Sequence, residues 1–463
     1  MTHFDATSNA GGEMDVGRSK KEAKRLLKKR ERGEKKAQQI ADGTWKSARK
    51  RRNQRDFHCE TRETPDEMEA QASIETRAEG FRYVLPYEHK FEVYVKARWF
   101  GKTLLHLFLD EFGGFTDAYY RAAIQHGFIR LNGEISTATA VVKDGDLLQH
   151  IMHRHEPRVQ AFDADMIEFE SDEILVVNKP STIPVHPCGA YRHNSLVFLL
   201  ARDFNQHPIF PVHRLDRLTS GLLVLAKSPE KAQVLSAQLL DRQVQKYYYA
   251  KVHGEFPMTV SSCSVPLSDS ALVELSMEVV DGREYIAIQA PLVRIADLEN
   301  RHGVRADGKP SETLVRRLAF DGEHTLVECL PRTGRQHQIR VHLAAIGFPI
   351  ANDPLYGPFA FVDAIPKASQ AAEDDSSAPP SRASETSSAA LSSISSICPS
   401  CTKQDDGAST FNWEQAHCQG IWLHAYRYKG EAWDFTVKPP SWMATTTLES
   451  AGNAAAEAAA AMT

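Results

Sequence analysis

His213-Arg214-Leu215-Asp216-Arg217-Leu218-Thr219-Ser220-Gly221 runs directly into the apolar Leu222-Leu223-Val224-Leu225-Ala226-Lys227. One carboxylate stands between two arginines, on a glycine-bearing turn that feeds a strand with no polar face. Arg214 and Arg217 lie close to Asp216 along the chain, and their field favours its ionised form. An anionic oxygen held at the mouth of a sheet is a candidate nucleophile or base. The other reading is a structural turn in which Asp216 pairs with a neighbouring arginine. From this stretch alone both readings stand open.

Around it the chain reads as a large α+β domain. Ile174-Leu175-Val176-Val177, ended by Asn178-Lys179-Pro180, is a short apolar run suited to a buried strand, as is Leu222–Ala226. Ser228-Pro229 opens a helix through Leu240, with serine at the cap and proline at the first helical position. Tyr247–Val252 returns as a strand. Thr333 and Gln336 have capping-box spacing and predict a helix from Thr333 through Ile346, ended by Gly347. On that helix Ile339, Leu343 and Ile346 share one face, and His337 and Arg340 another. Ala368–Ser396, rich in Ser, Ala and Pro, reads as a disordered insertion. Strand-like alternation resumes at Trp422-Leu423-His424-Ala425 and Trp433-Asp434-Phe435, before an alanine-rich tail.

Upstream, Lys102–Phe112 predicts an amphipathic helix through Leu104, Leu105, Phe108 and Phe112. Thr116 can cap a second, Asp117–His126, ended by Gly127. Phe128–Leu131 then alternates into Asn132-Gly133, a strong hairpin-turn signal, and Asp144-Gly145 marks another turn. Two short helices and a small hairpin set predict a compact module of S4 type. Arg121, Arg130 and Lys143 are candidates for an RNA-facing surface or for purely structural roles. The expected division is a disordered basic arm over residues 1–80, the S4-like module over 81–157, a catalytic domain over 158–445 with its insertion at about 365–410, and a tail over 446–463.

The chain has 463 residues, 42% hydrophobic and 25% charged, which is ordinary for globular protein with a sizeable core. Its net charge of −5 conceals a dense run of lysine and arginine between Arg18 and Arg55. That run suits a polyanion-binding arm, a nuclear import signal or a plain solvated tail. Asp5, Glu13 and Asp15 argue against a mitochondrial presequence, and no apolar stretch reaches membrane-spanning length. A soluble cytoplasmic or nuclear protein is expected, with mitochondria as the alternative, no membrane partner and a monomeric state. Seven scattered cysteines do not suggest a disulfide framework. Cys398-Pro399-Ser400-Cys401, with His417-Cys418 downstream, has the spacing of a zinc knuckle, but an incidental reduced pair is the default and no metal is expected.

The motif HRLDRLTSGLLVLAKS, residues 213–228, closely resembles the signature of the RluA family of RNA pseudouridine synthases. The resemblance extends from about Ile174 to Trp442. It takes in Val177-Asn178-Lys179-Pro180, Lys246-Tyr247-Tyr248-Tyr249-Ala250, Lys309-Pro310-Ser311-Glu312-Thr313 and Thr333–Leu343. Gly347-Phe348-Pro349-Ile350 and Asp353-Pro354-Leu355-Tyr356-Gly357 follow in the same order. The resemblance implies a catalytic domain on a mixed, largely antiparallel sheet, isomerisation of uridine to pseudouridine, and no cofactor, since nothing is oxidised or transferred.

By that resemblance Asp216 is the catalytic carboxylate and Arg340 the arginine that pairs with it, a two-pronged guanidinium keeping it ionised and aimed. Tyr248 is the tyrosine that packs on the target base and assists proton removal at C5, while Tyr247 and Tyr249 pack in the strand. Arg214 meets the flipped nucleotide, and Arg335 and His337 at a helix start suit phosphate. His213 is a scaffold residue. Within the family, Lys96-Ala97-Arg98-Trp99 and Tyr119–Ile124 look most like the eukaryotic branch acting on the tRNA anticodon stem-loop, which implies tRNA, with position 32 as the leading site and ribosomal RNA as the alternative. The contrasting expectation is a catalytically silent RNA-binding protein that kept the fold.

Overall fold

The computed structural model describes residues 68, 71–77, 79–262, 272–296, 301–358, 394–402 and 420–443. The basic run, the alanine-rich tail, His417, Cys418 and most of the inserted stretch lie outside the described residues.

The small upstream unit is a four-stranded antiparallel sheet in the order Tyr87–Tyr94, Leu147–Arg154, Ile129–Leu131, Glu134–Ile135. Asn132 and Gly133 turn the last hairpin with φ of 55° and 85°, the backbone that Asn-Gly tolerates best. Thr116 caps the Asp117–Gln125 helix by accepting a hydrogen bond from the Tyr119 amide. The expected Lys102–Phe112 helix forms only partly. It is α-helical over Leu104–Leu107, then widens to a π-type turn over Phe108–Phe112 and stops at left-handed Gly113. Trp99, Leu104, Phe108, Tyr120, Ile124, Ile129 and Leu148 form the core that both helices close. Arg121 is ion-paired one turn back with Asp117, and Arg130 donates to the Gly127 carbonyl, so both have local partners.

An eleven-stranded sheet organises the rest. Its main path runs Glu274–Val280, Arg283–Gln289, Glu312–Phe320, His324–Pro331, Gln245–His253, Leu423–Lys429, Ser220–Ala226, Ile174–Lys179, Ile167–Glu170. Among the described residues every pairing in it is antiparallel except one: Ser220 and Gly221 run parallel to His424 and Ala425. That crossing explains the glycine of the opening stretch. Gly221 has φ +110°, and a Cβ there would collide with the Ala425 backbone.

The Pro229–Leu240 helix has the expected limits, with Ser228 accepting from the Lys231 amide. The next helix does not. It covers Gln338–Ala345, five residues later than the capping-box spacing suggests, because His337 sits in the left-handed region at φ 56° and cannot continue a helix backwards. The folding-back side chain is that of Gln338. Its Oε1 accepts from the Arg335 amide and the Thr333 hydroxyl, and its Nε2 donates to the Glu312 carbonyl and Thr313 hydroxyl.

Polar contacts join the small unit to the large sheet. Between them a three-stranded sheet of Ile74–Arg77, Phe81–Val84 and Val159–Gln160 carries buried Arg82, which grips Asp203 with two nitrogens and Asn194 with a third. Glu156 accepts from the Tyr87 hydroxyl and from the successive amides of Arg192, His193 and Asn194. Part of the inserted stretch is ordered, which corrects the expectation of continuous disorder to Ser396. Ile394 is fully buried, and Ile397 packs on the small core. An apolar isoleucine pair in an otherwise polar stretch has a surface to dry.

Candidate active site

A cleft of about 360 Å³ opens where three pieces of chain meet: the loop before Ser220–Ala226, the start of Gln245–His253, and the Thr333–Arg340 segment. Asp216, Tyr248, Arg340, Arg214, Arg335 and His337 all line it. Six side chains drawn from more than 120 positions of sequence converge there.

Asp216 is about one-fifth exposed, with Arg340 Nη1 3.6 Å and His337 Nε2 3.8 Å from its Oδ2. The loop beneath it is anchored by Lys179. That ammonium is fully buried and donates to the carbonyls of Pro180, Ile183 and Arg217, the residue next to Asp216. Burial, helped by Arg217 and opposed by Asp216, drops the Lys179 pKa to about 7. His213 accepts from the Val224 amide through Nε2, and burial holds the ring neutral, as suits a scaffold residue. Arg217 points its guanidinium over Tyr191.

The expected pairing of Arg340 with Asp216 is present but is not two-pronged. Nε and Nη2 are committed to Asp353 at 2.6 and 2.8 Å, leaving Nη1 for Asp216. Burial disfavours the charge, yet Asp353 outweighs it and Arg340 stays cationic. Asp353 also accepts from the Leu355 and Tyr356 amides. The helix carrying Arg340 is fixed from behind by His342, whose two nitrogens meet Ser311 and Thr313 of the Lys309–Thr313 motif.

His337 turns inward rather than out towards solvent. Nδ1 meets the Tyr356 hydroxyl at 2.8 Å and Nε2 faces Asp216. Burial, against the pull of Asp216, lowers its pKa to about 4, so it is neutral at ordinary pH and is no cation for a phosphate. Arg335 spends Nε and Nη2 on the Pro310 carbonyl at 3.3 Å, while Arg214 is exposed at the rim.

Tyr248 is buried, its hydroxyl 2.7 Å from that of Tyr428 on the adjacent strand. Burial pushes the phenol well above its ordinary pKa, and the charge of Asp216 adds to this, so it is a neutral ring. Its neighbours behave as expected. Tyr247 packs in a separate small core, and Tyr249 stacks on Tyr426.

A model of the RNA pseudouridylate synthase family matches residues 173–345. RNA pseudouridine synthase 7 of Arabidopsis thaliana is 36% identical over 370 residues, 78% of this chain and 86% of that protein. The chain belongs to the RluA-type RNA pseudouridylate synthase family. Human pseudouridylate synthase RPUSD2 is 40% identical over 283 residues, 61% of this chain and 47% of that one. The yeast mitochondrial tRNA pseudouridine(32) synthase of Saccharomyces cerevisiae is 39% identical over 275 residues, 59% of this chain and 54% of its own. The chain thus spans about half the length of the human relative and most of the plant one.

The family match holds Asp216, Tyr248 and Arg340 but stops short of Asp353. Sequence reasoning gave no role to Asp353, Tyr356, Lys246, Lys179 or Tyr428, although the first four lie in quoted motifs. Lys246 lines the cleft with its ammonium 5.5 Å from the Tyr428 ring centre, and burial brings its pKa to about 8. A cation left partly desolvated near a phenol ring makes the cleft attractive to an anion. The signal available was a lone lysine opening an aromatic strand.

Proposed function

We propose that the chain is an RNA pseudouridine synthase with Asp216 as its catalytic carboxylate. The observation that carries this is the convergence of Asp216, Arg340 and Tyr248 on one cleft with a basic rim. The reaction breaks the C1′–N1 bond of a uridine, turns the freed base, joins C5 to C1′, gives up the C5 proton and leaves N1 protonated. Its cleavage step builds positive charge on the sugar and negative charge on the base. Asp216 is suited to the first, by attack at C1′ or removal of the 2′ proton. Lys246, on the cleft wall, is suited to the second. Arg340, held by Asp353, keeps the carboxylate aimed. Tyr248 offers a ring for the detached base to lie on. Because its phenol is hard to ionise, Tyr248 is suited to hold the base as a neutral ring, and the C5 proton passes to Asp216, whose carboxylate is free again once C5 has joined C1′.

The substrate class is structured RNA, tRNA first, with the target nucleotide flipped into the cleft and Arg214 at the gap. Position 32 of the anticodon stem-loop is the finer reading, favoured by the yeast relative whose name carries that position. Ribosomal RNA is the alternative. The small upstream unit contributes an RNA surface of S4 type, and the chain acts as a monomer. A cytoplasmic or nuclear site suits its basic run, while the yeast relative makes mitochondria the alternative. Neither a metal nor a cofactor enters the isomerisation.

Wild type and Asp216→Ala are incubated with total RNA, and pseudouridines are mapped by carbodiimide treatment and primer extension. New stops in tRNA with wild type only are expected. Identical maps would leave a silent RNA-binding protein.

A further inference from the structure

The end of the Leu147–Arg154 strand and the ordered piece of the insertion bring four metal-ligating side chains together: His153, His155, Cys398 and Cys401. Their ligand atoms all lie within 4.8 Å of one another. His153 Nδ1 and His155 Nε2 are 3.1 Å apart. Cys401 Sγ is 3.2 Å from His153 Nδ1 and 3.3 Å from His155 Nε2, and Cys398 Sγ is 3.5 Å from His155 Nε2. The geometry points to a structural zinc site of two thiolates and two imidazoles, separate from the catalytic cleft.

Hydrogen bonding alone does not account for this arrangement. His155 Nε2 faces three atoms at 3.1–3.5 Å, yet an imidazole nitrogen carries one proton or one lone pair and can serve one partner well. A cation at the centre satisfies all four at once. Tetrahedral Zn²⁺, with bonds of about 2.0–2.1 Å to nitrogen and about 2.3 Å to sulfur, sets edges of about 3.3 Å between nitrogens and about 3.6 Å between nitrogen and sulfur. Four of the six spacings, 3.1–3.5 Å, sit at or a few tenths of an ångström inside those edges, and all six are within 4.8 Å. Mixed thiolate and imidazole donors favour zinc over magnesium or calcium, which take oxygen.

The local backbones suit the task. His153 and His155 are two apart at a strand end and project to one side, while Arg154 between them turns the other way to the Gly189 and Ala190 carbonyls. Cys398 and Cys401 bracket a turn closed by the Cys401 amide on the Cys398 carbonyl, so both sulfurs come from one knuckle. On binding, the two thiols release their protons and both histidines bind neutral, so the four-ligand centre carries no net charge. With every position taken by protein, the site has no room for substrate chemistry. It would instead fasten a short inserted segment to the small unit more than 240 residues earlier. His417 and Cys418, the partners the sequence spacing suggested, are not needed.

Full-length protein from zinc-supplemented cells should contain about one zinc per chain by mass spectrometry, and X-ray absorption should give two sulfur and two nitrogen neighbours. Cobalt exchanged into the same protein should show tetrahedral d–d bands with thiolate charge transfer. Cys398→Ser with Cys401→Ser, and separately His155→Ala, should lose most of the metal, while Cys418→Ser keeps it. Zinc below a tenth of an equivalent in wild type, a Cys398–Cys401 disulfide in its place, four sulfur neighbours, or loss of metal in Cys418→Ser would each overturn the proposal. The absorption measurement needs no variant, so a misfolded mutant cannot hide the answer.

Discussion

At the residue scale the instructive group is Asp353, not Asp216. Its side chain is wholly buried, and it holds two nitrogens of an arginine that is itself 5% exposed. Removing one member of such a pair leaves the other charge stranded in low dielectric. Asp353→Ala should therefore cost about 3–5 kcal/mol of stability, read by denaturant unfolding. It should also lower turnover more than RNA affinity, because Arg340, once released, no longer fixes the carboxylate it faces. A loss below about 1 kcal/mol would mean that water replaces the carboxylate easily. Asp353 could not be read from its surroundings in sequence. Its partner is thirteen residues away across a helix end, and no periodicity links the two.

At the scale of elements, local chemistry was legible and long-range register was not. Ser228-Pro229 set the start of the Pro229–Leu240 helix, and Asn132-Gly133 set its hairpin, because each depends on neighbouring backbone alone. The helix after Thr333 was misplaced because two hydrogen-bonding residues, Gln336 and Gln338, compete for the capping role, and only the left-handed His337 decides between them. That Asp216, Tyr248 and Arg340 line one cleft was legible through motif order. The single parallel contact of Ser220–Gly221 with His424–Ala425 was invisible, since some 200 residues separate the partners. Gly221→Ala tests that contact. A methyl group there meets the Ala425 backbone in a conformation unfavourable to any L-residue, so a loss of about 2–4 kcal/mol is expected from strain and displaced strands. Gly282→Ala, in a left-handed turn with open space around it, should cost only about 1 kcal/mol. Equal losses at the two positions would remove the crowding argument.

Across the whole molecule, buried histidines make the fold sensitive to acid. Burial lowers the pKa of His150, His337 and His342 to about 4 and that of His424 to about 3. Each is below the unfolded value near 6.5, so the unfolded chain binds the proton first. Their stabilisation is complete above about pH 6.5 and declines as pH falls towards about 4, on the order of 1–2 kcal/mol each at pH 5. The melting temperature should drop by roughly 5–10 °C between pH 7.5 and pH 5. A flat profile would show that these rings are protonated without unfolding. The sheet order carries a different consequence. Leu423–Lys429 lies between Gln245–His253 and Ser220–Ala226, so the strand that joins the half bearing Asp216 to the half bearing Tyr248 leaves the ribosome after both of them. Until it emerges, a nascent chain can hold both halves without an assembled cleft. Synthesis therefore has a built-in order, in which the two walls of the cleft are joined only by a strand made after both.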